Sequence, residues 1–246
     1  MLTTDAQVEG VHFDRRFVPP DAIGHRALAV NLSDLAAMGA EPRAALLSFV
    51  LPDQLEVAVV DGIVDGLIAL AARHRVAIVG GNITRSPGPL MIDVTAIGSV
   101  RPRRVLTARR RAPRRRGVCH RRHWRRGRRI ADQLQDQAAS RLGPSRSVLN
   151  ERNTFAPNRA CALGCCCGRN RAATSCIDLS DGLADGLRQI AAASGVGMTV
   201  DEAAIPLADG VAEFHRTRAM IRCVRRWPAA TIMSFCLRFG HPGADA

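Results

Sequence analysis

Four short stretches of the sequence carry carboxylates, glycines and hydroxyls at points where the apolar pattern breaks. They are TTDAQVEGVHF (3–13), NLSD (31–34), VGGNITR (79–85) and IDLSDGL (177–183). Carboxylates at strand ends are the oxygen ligands that Mg²⁺ uses when it bridges a protein to phosphate groups. Phosphoryl transfer depends on such clamps more than on a nucleophile supplied by the protein. The four stretches together therefore predict magnesium-dependent phosphate chemistry.

Taken singly, these residues have ordinary structural explanations. Asp34 and Asp181 could each cap the N-terminus of a helix, and His12 could be a plain surface or core histidine. Gly80 and Gly81 could form a tight turn. The occurrence of four such stretches in one chain is what favours a functional site.

The apolar pattern predicts the elements that position these stretches. Apolar residues recur at helical spacing from 55 to 72, and residues 76–81 form an apolar strand that runs into a predicted Gly-Gly turn. Residues 90–100 alternate and are rich in β-branched side chains, which predicts a strand. We place the polar residues 31–34 at the end of an apolar strand, with helix after them. Alternating strands and helices predict an α/β or α+β fold.

A second ordered region covers residues 176–207. Its pattern predicts a strand end, an Asp/Ser-rich turn, a helix capped by Ser180 or Asp181, and a further strand. Residues 101–174 show neither helical nor strand periodicity, and the pattern fades again after 209. Regular structure is therefore predicted on both sides of an irregular middle segment.

The net charge of +13 is concentrated in one block. Residues 101–129 hold 15 Arg and no acidic residue, which leaves a charge of −2 for the rest of the chain. A basic block normally suggests a polyanion partner. All basic residues are Arg, however, and complete absence of Lys is typical of very GC-rich genes rather than of phosphate binding. We therefore do not expect nucleic acid as a biological partner.

Cysteine usage and hydropathy exclude several other classes. The eight cysteines include a run at 165–167 but no CxxC pair, so no zinc site is predicted. No signal peptide and no apolar stretch of membrane-spanning length is present. The expected setting is the cytoplasm, with reduced thiols and no membrane partner.

Together the stretches resemble thiamine-monophosphate kinase, of the superfamily that includes aminoimidazole ribonucleotide synthetase. The shared pattern is T-T-D-x-x-V-E-G-V-H-F, N-L-S-D-x-A-A-M-G-A, V-G-G-D-T-T-R, V-T-A-I-G and I-D-x-S-D-G-L, over residues 1–100 and 176–207. VEGVHF and LAAMGAEP favour the thiamine enzyme. The resemblance implies two domains, an N-terminal ATP- and metal-binding sheet domain at 1–107 and a C-terminal α/β domain at 108–246, both incomplete.

The resemblance also implies an activity and its residues. The γ-phosphoryl group of ATP would pass to thiamine monophosphate with Mg²⁺, in a homodimer whose N-terminal sheets pair. The implied metal ligands are Thr3, Thr4, Asp5, Asp34, Asn82, Asp178 and Asp181. ATP would contact His74, Gly81 and Ser180, and the thiamine phosphate would contact His12. The family has Asp at the position of Asn82, so the lost charge predicts weaker metal binding there.

The arginine block stands where the family has a Y-V-T-G-x-I-G-x-A motif. Residues 118–129 can be encoded by codons whose neighbouring frame reads YVTGAIGDAAG, and residues 227–237 by codons whose neighbouring frame reads LAGGDDYELLF. Both resemble family motifs in the expected order. We therefore expect residues 108–174 and 210–246 to be translated out of frame, with 176–209 in frame.

The family also carries residues before TTD, including a metal-binding carboxylate. An N-terminal truncation is therefore expected, and with it weak or no activity of the chain as written. Two alternatives remain open. One is another ATP-dependent enzyme of the superfamily, of the hydrogenase-maturation or selenophosphate-synthetase type. The other is an inactive, damaged product with adventitious affinity for nucleic acid.

Overall fold

A computed structural model describes residues 1–109, 118–119, 173–200 and 234–238. The described part forms two units, each combining sheet and helix, so the fold is α+β. The first unit contains 1–35 and 40–101, and the second contains 36–39 and the described residues from 102 onwards. Among the described residues, no helix is both long enough and apolar enough to cross a membrane.

The first unit is built on a four-stranded mixed sheet. Its strands are β1 (Leu2–Val8), β2 (Glu41–Pro52), β3 (Ala77–Ser86) and β4 (Met91–Ser99), in the spatial order β1-β4-β2-β3. Strand β4 is antiparallel to both β1 and β2, and β3 is parallel to β2. The predicted strands in 76–81 and 90–100 are confirmed.

The two faces of this sheet differ in burial. In β4, Ile92, Val94 and Ala96 are fully buried, and the residues between them are not. Because successive side chains of a strand point to opposite faces, these three define one covered face. Cross-strand pairing places Gln7 opposite Ile92, Asp5 opposite Val94 and Thr3 opposite Ala96, and paired residues share a face. The other face, which bears Thr4, Asp93 and Thr95, is called the open face.

Two helices of equal length pack in this unit, α1 (Pro20–Ala37), which lies in it up to Leu35, and α2 (Val57–His74). They cross closely because glycines stand where other residues would collide. A Cβ at Gly24 would lie 1.7 Å from the carbonyl oxygen of Ile63, and one at Gly66 would lie 1.9 Å from that of Asp21. The helix predicted from 55 to 72 is confirmed.

Two local predictions for the first unit were wrong. Asn31 and Asp34 lie inside α1 rather than at a strand end, so Asp34 is not an N-cap. Most of α1 from Ala22 onwards is buried, and a helix buried all round shows the same apolar run as a buried strand. The predicted turn at Gly80 and Gly81 is also absent, because β3 continues through both. At Gly81 a Cβ would lie 1.7 Å from the Leu47 carbonyl oxygen, so the glycine permits close strand approach.

The second unit contains a three-stranded antiparallel sheet and one described α-helix. Strands β5 (Val118–Cys119), β6 (Ala173–Asp178) and β7 (Ser234–Arg238) lie in the order β5-β7-β6, and α3 (Leu183–Ser194) follows β6. One buried cluster contains Leu179, Leu183 and Ile190; a second contains Ala37, Leu106, Ala173 and Cys176. A short 3-10 helix occupies Pro102–Arg104.

The strand and the helix predicted within 176–207 are present, but the predicted cap is wrong. Gly182, with a φ of 99°, precedes the first turn of α3, and no side chain caps that turn. Asp181 and Ser180 lie one and two positions further upstream. Residues 196–200 are not a strand, and the rest of the predicted second strand lies outside the described residues.

Candidate functional site

Two hydrogen bonds organise the polar side chains on the covered face of β1. The Thr3 hydroxyl donates to a carboxylate oxygen of Asp34 at 2.5 Å, which ties β1 to the last turns of α1. On the same face of β1, the side-chain amide of Gln7 donates to Asp5 Oδ1 at 2.8 Å. Thr3, Asp5 and Asp34 therefore share one side of the sheet, and all three are half-buried.

Thr4 and Asn82 belong to the other side. The Thr4 hydroxyl donates to Asp93 at 3.1 Å and lies 3.0 Å from the Thr95 hydroxyl, both on the open face. Asn82 pairs with Ser48, which in turn pairs with Asp93, so the register also assigns Asn82 to the open face. The side chains of Thr4 and Asn82 thus stand apart from the group formed by Thr3, Asp5 and Asp34.

His12 lies in a compact turn between β1 and α1. Its backbone N–H donates to the Val8 carbonyl at 2.8 Å, and the Val8 N–H donates to His12 Nδ1 at 3.0 Å. A ring nitrogen that accepts a hydrogen bond carries no proton, so the neutral ring holds its hydrogen on Nε2. The turn therefore presents His12 as a hydrogen-bond donor with a defined orientation, which suits an anionic group.

Arg26 secures this turn from α1. Its guanidinium donates to the His12 carbonyl oxygen, and the residue is only 6% exposed. We expect Arg26→Met, which keeps the volume but removes the donor, to speed hydrogen exchange in residues 8–13 by about ten- to a hundredfold, since a lost buried charge-assisted bond costs about 1.5–3 kcal/mol. Hydrogen exchange followed by mass spectrometry measures the change.

Arg16→Met is the matched control for Arg26→Met. Arg16 follows the same turn and pairs with Asp14, but its side chain is 76% exposed. Exposed ion pairs contribute little to stability, so exchange in residues 8–13 stays near the wild-type rate in this variant. Equal acceleration by both variants would show that the turn does not depend on Arg26.

Two carboxyls outside this group have perturbed acidity. Hydrogen bonds from Arg16 hold the pKa of Asp14 below its usual value of 3.8. The pKa of Asp185, in the first turn of α3, is lowered chiefly by the Gln189 amide and then by Arg188. A carboxyl with a lowered pKa stabilises the folded state above its unfolded pKa, and that contribution is lost as the pH falls. Both pairs are exposed, so their loss at acid pH has little effect.

The second unit supplies its own polar group at the end of β6. Asp178 is the last residue of the strand and is half-buried, whereas Ser180 and Asp181 are exposed in the turn before α3. The Gly182 N–H closes this turn on the Leu179 carbonyl at 3.2 Å. Gly186 lets α3 pack on the turn, because a Cβ there would lie 2.4 Å from a Leu179 methyl group.

The remaining predicted ATP contacts lie on two further elements. His74 is the last residue of α2 and is half-buried. Gly81 is exposed in β3, in the same cross-strand row as Asp5, Val94 and Leu47. Gly81 thus has a structural requirement for glycine that is independent of any role in binding.

The donor set on the covered face fits Mg²⁺. Asp5, Asp34 and Thr3 offer only oxygen, and Mg²⁺ is usually held by one or two carboxylates while water or phosphate completes the octahedron. Within the described ranges, no group of three or more His, Cys, Asp or Glu could hold a metal ion. A site here would therefore depend on two carboxylates and on oxygens from the bound phosphates.

The amino-terminal part of the chain matches a described family. Residues 1–100 match the profile of the AIR synthase related protein, N-terminal domain. A thiamine-monophosphate kinase from Corynebacterium glutamicum is 34% identical over 222 residues, which cover 83% of this chain and 61% of that protein. The chain belongs to the thiamine-monophosphate kinase family. The family is part of the AIR synthase-like superfamily, as the four sequence stretches predicted.

Solved structures of thiamine-monophosphate kinases share this fold. The enzyme from Stenotrophomonas maltophilia K279a superposes with a TM-score of 0.75 at 28% identity, over 97% of this chain and 74% of that one. The structure described as AaThiL complexed with AMPPCP and TMP gives a TM-score of 0.72 at 24% identity, over 98% and 81%. A hydrogenase maturation protein HypE shares the fold at a TM-score of 0.75 and 20% identity, over 96% and 70%.

The chain spans only part of its sequence relatives in the thiamine-monophosphate kinase family. Besides the 61% already given, it aligns with 32% of the protein from Synechococcus elongatus, at 42% identity over 106 residues. That shorter match covers 43% of this chain. The activity of the whole protein is therefore a matter for proposal.

Two residues at the candidate site were not anticipated from the sequence. Gln7 contacts Asp5, and Arg26 contacts the His12 turn. The alternation of Asp5 and Gln7 along a strand was a usable signal for Gln7, whereas the contact of Arg26 depends on how α1 packs, which no local pattern reveals. Asn31, predicted at a strand end, is fully buried in α1, and its amide donates to the Ala27 carbonyl at 3.1 Å.

Proposed function

We propose that the protein transfers the γ-phosphoryl group of ATP to thiamine monophosphate, giving thiamine diphosphate. The observation that carries the proposal is the oxygen-only group of Thr3, Asp5 and Asp34 in a chain of this kinase family. The solved relative that holds AMPPCP and TMP supports the choice of both substrates. The reaction uses ATP, so we propose a cytoplasmic setting for it.

We propose that Asp5 and Asp34 hold Mg²⁺, with Thr3 as a neighbouring oxygen. Bound Mg²⁺ would neutralise charge on the transferring phosphoryl group. Thr4 would contribute through its backbone, because its side chain lies on the open face. Asp178 and Asp181 are proposed as further metal ligands, on the second unit. Asn82 carries no charge and its side chain lies on the open face, so it would be the weakest of the predicted ligands.

The proposed substrate contacts use fixed donors. His12 would donate its Nε2 hydrogen to the phosphate of thiamine monophosphate, in the orientation set by Val8 and Arg26. Gly81, Ser180 and His74 are the proposed ATP contacts. In such a site the protein mainly positions two phosphate groups and balances their charge, rather than forming a covalent intermediate.

We further propose that the active form is a homodimer that pairs two open sheet faces. The open face carries apolar side chains that solvent still reaches, with Leu2 69% exposed and Leu46 and Ile97 each 40% exposed. Exposed apolar patches of this kind mark interaction surfaces. Sedimentation velocity tests this directly, since Ile97→Glu would shift a dimer to monomer.

We also propose that residues 108–174 and 210–246 are read out of frame. Matches of only 100 to 106 residues, about 40% of the chain, support this proposal, whereas the Corynebacterium glutamicum match, over 83% of the chain, does not stop at the predicted frame change. Gene resequencing tests the proposal. If the codons do not give YVTGAIGDAAG and LAGGDDYELLF in the neighbouring frame, it fails.

The test of function is ADP release from ATP and Mg²⁺ with and without thiamine monophosphate. We expect substrate-dependent release from the protein with its reading frame restored, and little from the chain as written. The main competing function is that of another superfamily enzyme, since HypE shares the fold. ADP release that thiamine monophosphate does not stimulate would favour that alternative. Salt-sensitive retention on DNA would indicate adventitious nucleic-acid binding.

A further inference from the structure

Gln7 is an unusual residue for the inner face of a strand. It is 2% exposed, next to the fully buried Ile92 in the cross-strand register. Burying a long amide side chain costs rotamer entropy and requires its polar atoms to find partners. An apolar residue would fill this position at lower cost, so the amide needs an explanation.

The contacts of Gln7 fix the orientation of its amide. Nε2 donates to Asp5 Oδ1 at 2.8 Å and approaches the Ala6 carbonyl oxygen at 3.5 Å. Both partners are acceptors, so the nitrogen must face them. The oxygen Oε1 is buried and has no hydrogen-bond partner among the described residues. The side chain therefore gains one strong hydrogen bond, to Asp5, while leaving a buried acceptor unused.

One hydrogen bond gained and one buried acceptor left unused do not favour a purely stabilising role for Gln7. A buried acceptor without a partner is destabilising, and replacing such a group by an apolar one of similar shape is often neutral or stabilising. The hydrogen bond to Asp5, in contrast, restricts the carboxylate. With Oδ1 held by the amide, rotation of the carboxylate is restricted, and its second oxygen has no hydrogen-bond partner among the described residues.

We propose that Gln7 is a positioning residue that orients the Asp5 carboxylate for a divalent cation. The inference rests on the proposed role of Asp5 as a Mg²⁺ ligand. Side chains that hydrogen-bond to metal-binding carboxylates fix their orientation, and their loss typically weakens metal binding 10- to 100-fold. Gln7 donates a single bond, so the expected loss is at the lower end, about tenfold.

The experiment measures the Kd of Mn²⁺, as a paramagnetic substitute for Mg²⁺, by electron paramagnetic resonance on the full chain. The first variant is Gln7→Met, which is close in shape but has no N–H donor. The second is Gln7→Leu, which also lacks the donor and shows whether an effect of Gln7→Met comes from its packing alone. Thermal unfolding is recorded for each. Ser99→Ala is the control, because it removes another 2.8 Å side-chain bond, from Arg43, on the neighbouring strand.

The expected result is a Kd about tenfold higher for both Gln7 variants, with a thermal midpoint equal to or above that of the wild type. Ser99→Ala leaves the Kd unchanged. Weaker binding that always accompanies a lower midpoint would indicate a merely structural role and overturn the inference. An unchanged Kd in both Gln7 variants would overturn it too.

A further variant, Asp5→Asn, separates this inference from the function on which it rests. If Asp5→Asn raises the Kd strongly and the Gln7 variants do not, only the role of Gln7 is lost. If Asp5→Asn leaves Mn²⁺ binding unchanged, Asp5 is not a ligand. The proposed metal site and the inference then fail together.

Discussion

Asp34→Asn should weaken Mn²⁺ binding by on the order of a hundredfold and reduce thiamine diphosphate formation at least as much. The change removes a charge but keeps an acceptor for the Thr3 hydroxyl, which now donates to Asp34 at 2.5 Å. Replacing a charged ligand by a neutral amide should cost at least as much as the 10- to 100-fold loss that follows from changing a residue behind a ligand. Binding is measured by Mn²⁺ resonance, and turnover by ADP release from the frame-restored protein.

The control for Asp34→Asn is Asp53→Asn. Asp53 is another carboxylate of the first unit, but it is 56% exposed and pairs with Arg85 at 3.3 Å. Its loss changes the net charge equally and leaves the covered face intact. Both variants should keep a free energy of unfolding within about 0.5 kcal/mol of the wild-type value. Equal weakening of Mn²⁺ binding by both would show that only overall charge matters.

Gly24→Ala should destabilise the first unit by on the order of 3 kcal/mol, the upper part of the range for overpacked cores. The new methyl group would lie 1.7 Å from the Ile63 carbonyl oxygen and 2.6 Å from its carbon, both backbone atoms. The two helices would have to separate to relieve the overlap. Helix propensity alone predicts the opposite sign, a gain of about 1 kcal/mol.

Denaturant unfolding followed by circular dichroism measures this effect of Gly24→Ala. Gly88→Ala is the matched control, since its nearest neighbour would be the Ser86 hydroxyl at 3.4 Å, an ordinary contact. We expect the control to unfold near the wild-type midpoint. An unchanged or higher midpoint for Gly24→Ala would show that α1 and α2 do not cross as closely as described.

The sequence was a good guide to elements with a strong period. β4 alternates strictly between buried positions and positions that are half-buried or exposed, and α2 has a regular apolar stripe, so both were predicted. α1 was harder to predict because it is buried almost all round. A helix without a polar face has no helical period to detect. Asp34 was therefore predicted as a metal ligand at a strand end, whereas it lies in a helix.

The arrangement of the site was only partly predictable. Thr3, Thr4 and Asp5 are consecutive, but alternation along β1 separates Thr4 from the other two. Residue types predicted the kind of chemistry, whereas the register of β4 against β1 decided which residues share a face. The position of Asn82 likewise follows from pairing between distant segments, and such pairing is not encoded in any short motif.

The most direct test of the account measures thiamine diphosphate formed from ATP, Mg²⁺ and thiamine monophosphate, by chromatography. Three proteins are compared: the chain as written, the frame-restored protein, and its Asp34→Asn variant. The account predicts product from the frame-restored protein, at least a hundredfold less from the variant, and little or none from the chain as written. Absence of thiamine diphosphate from a folded, Mn²⁺-binding, frame-restored protein would contradict the proposed function.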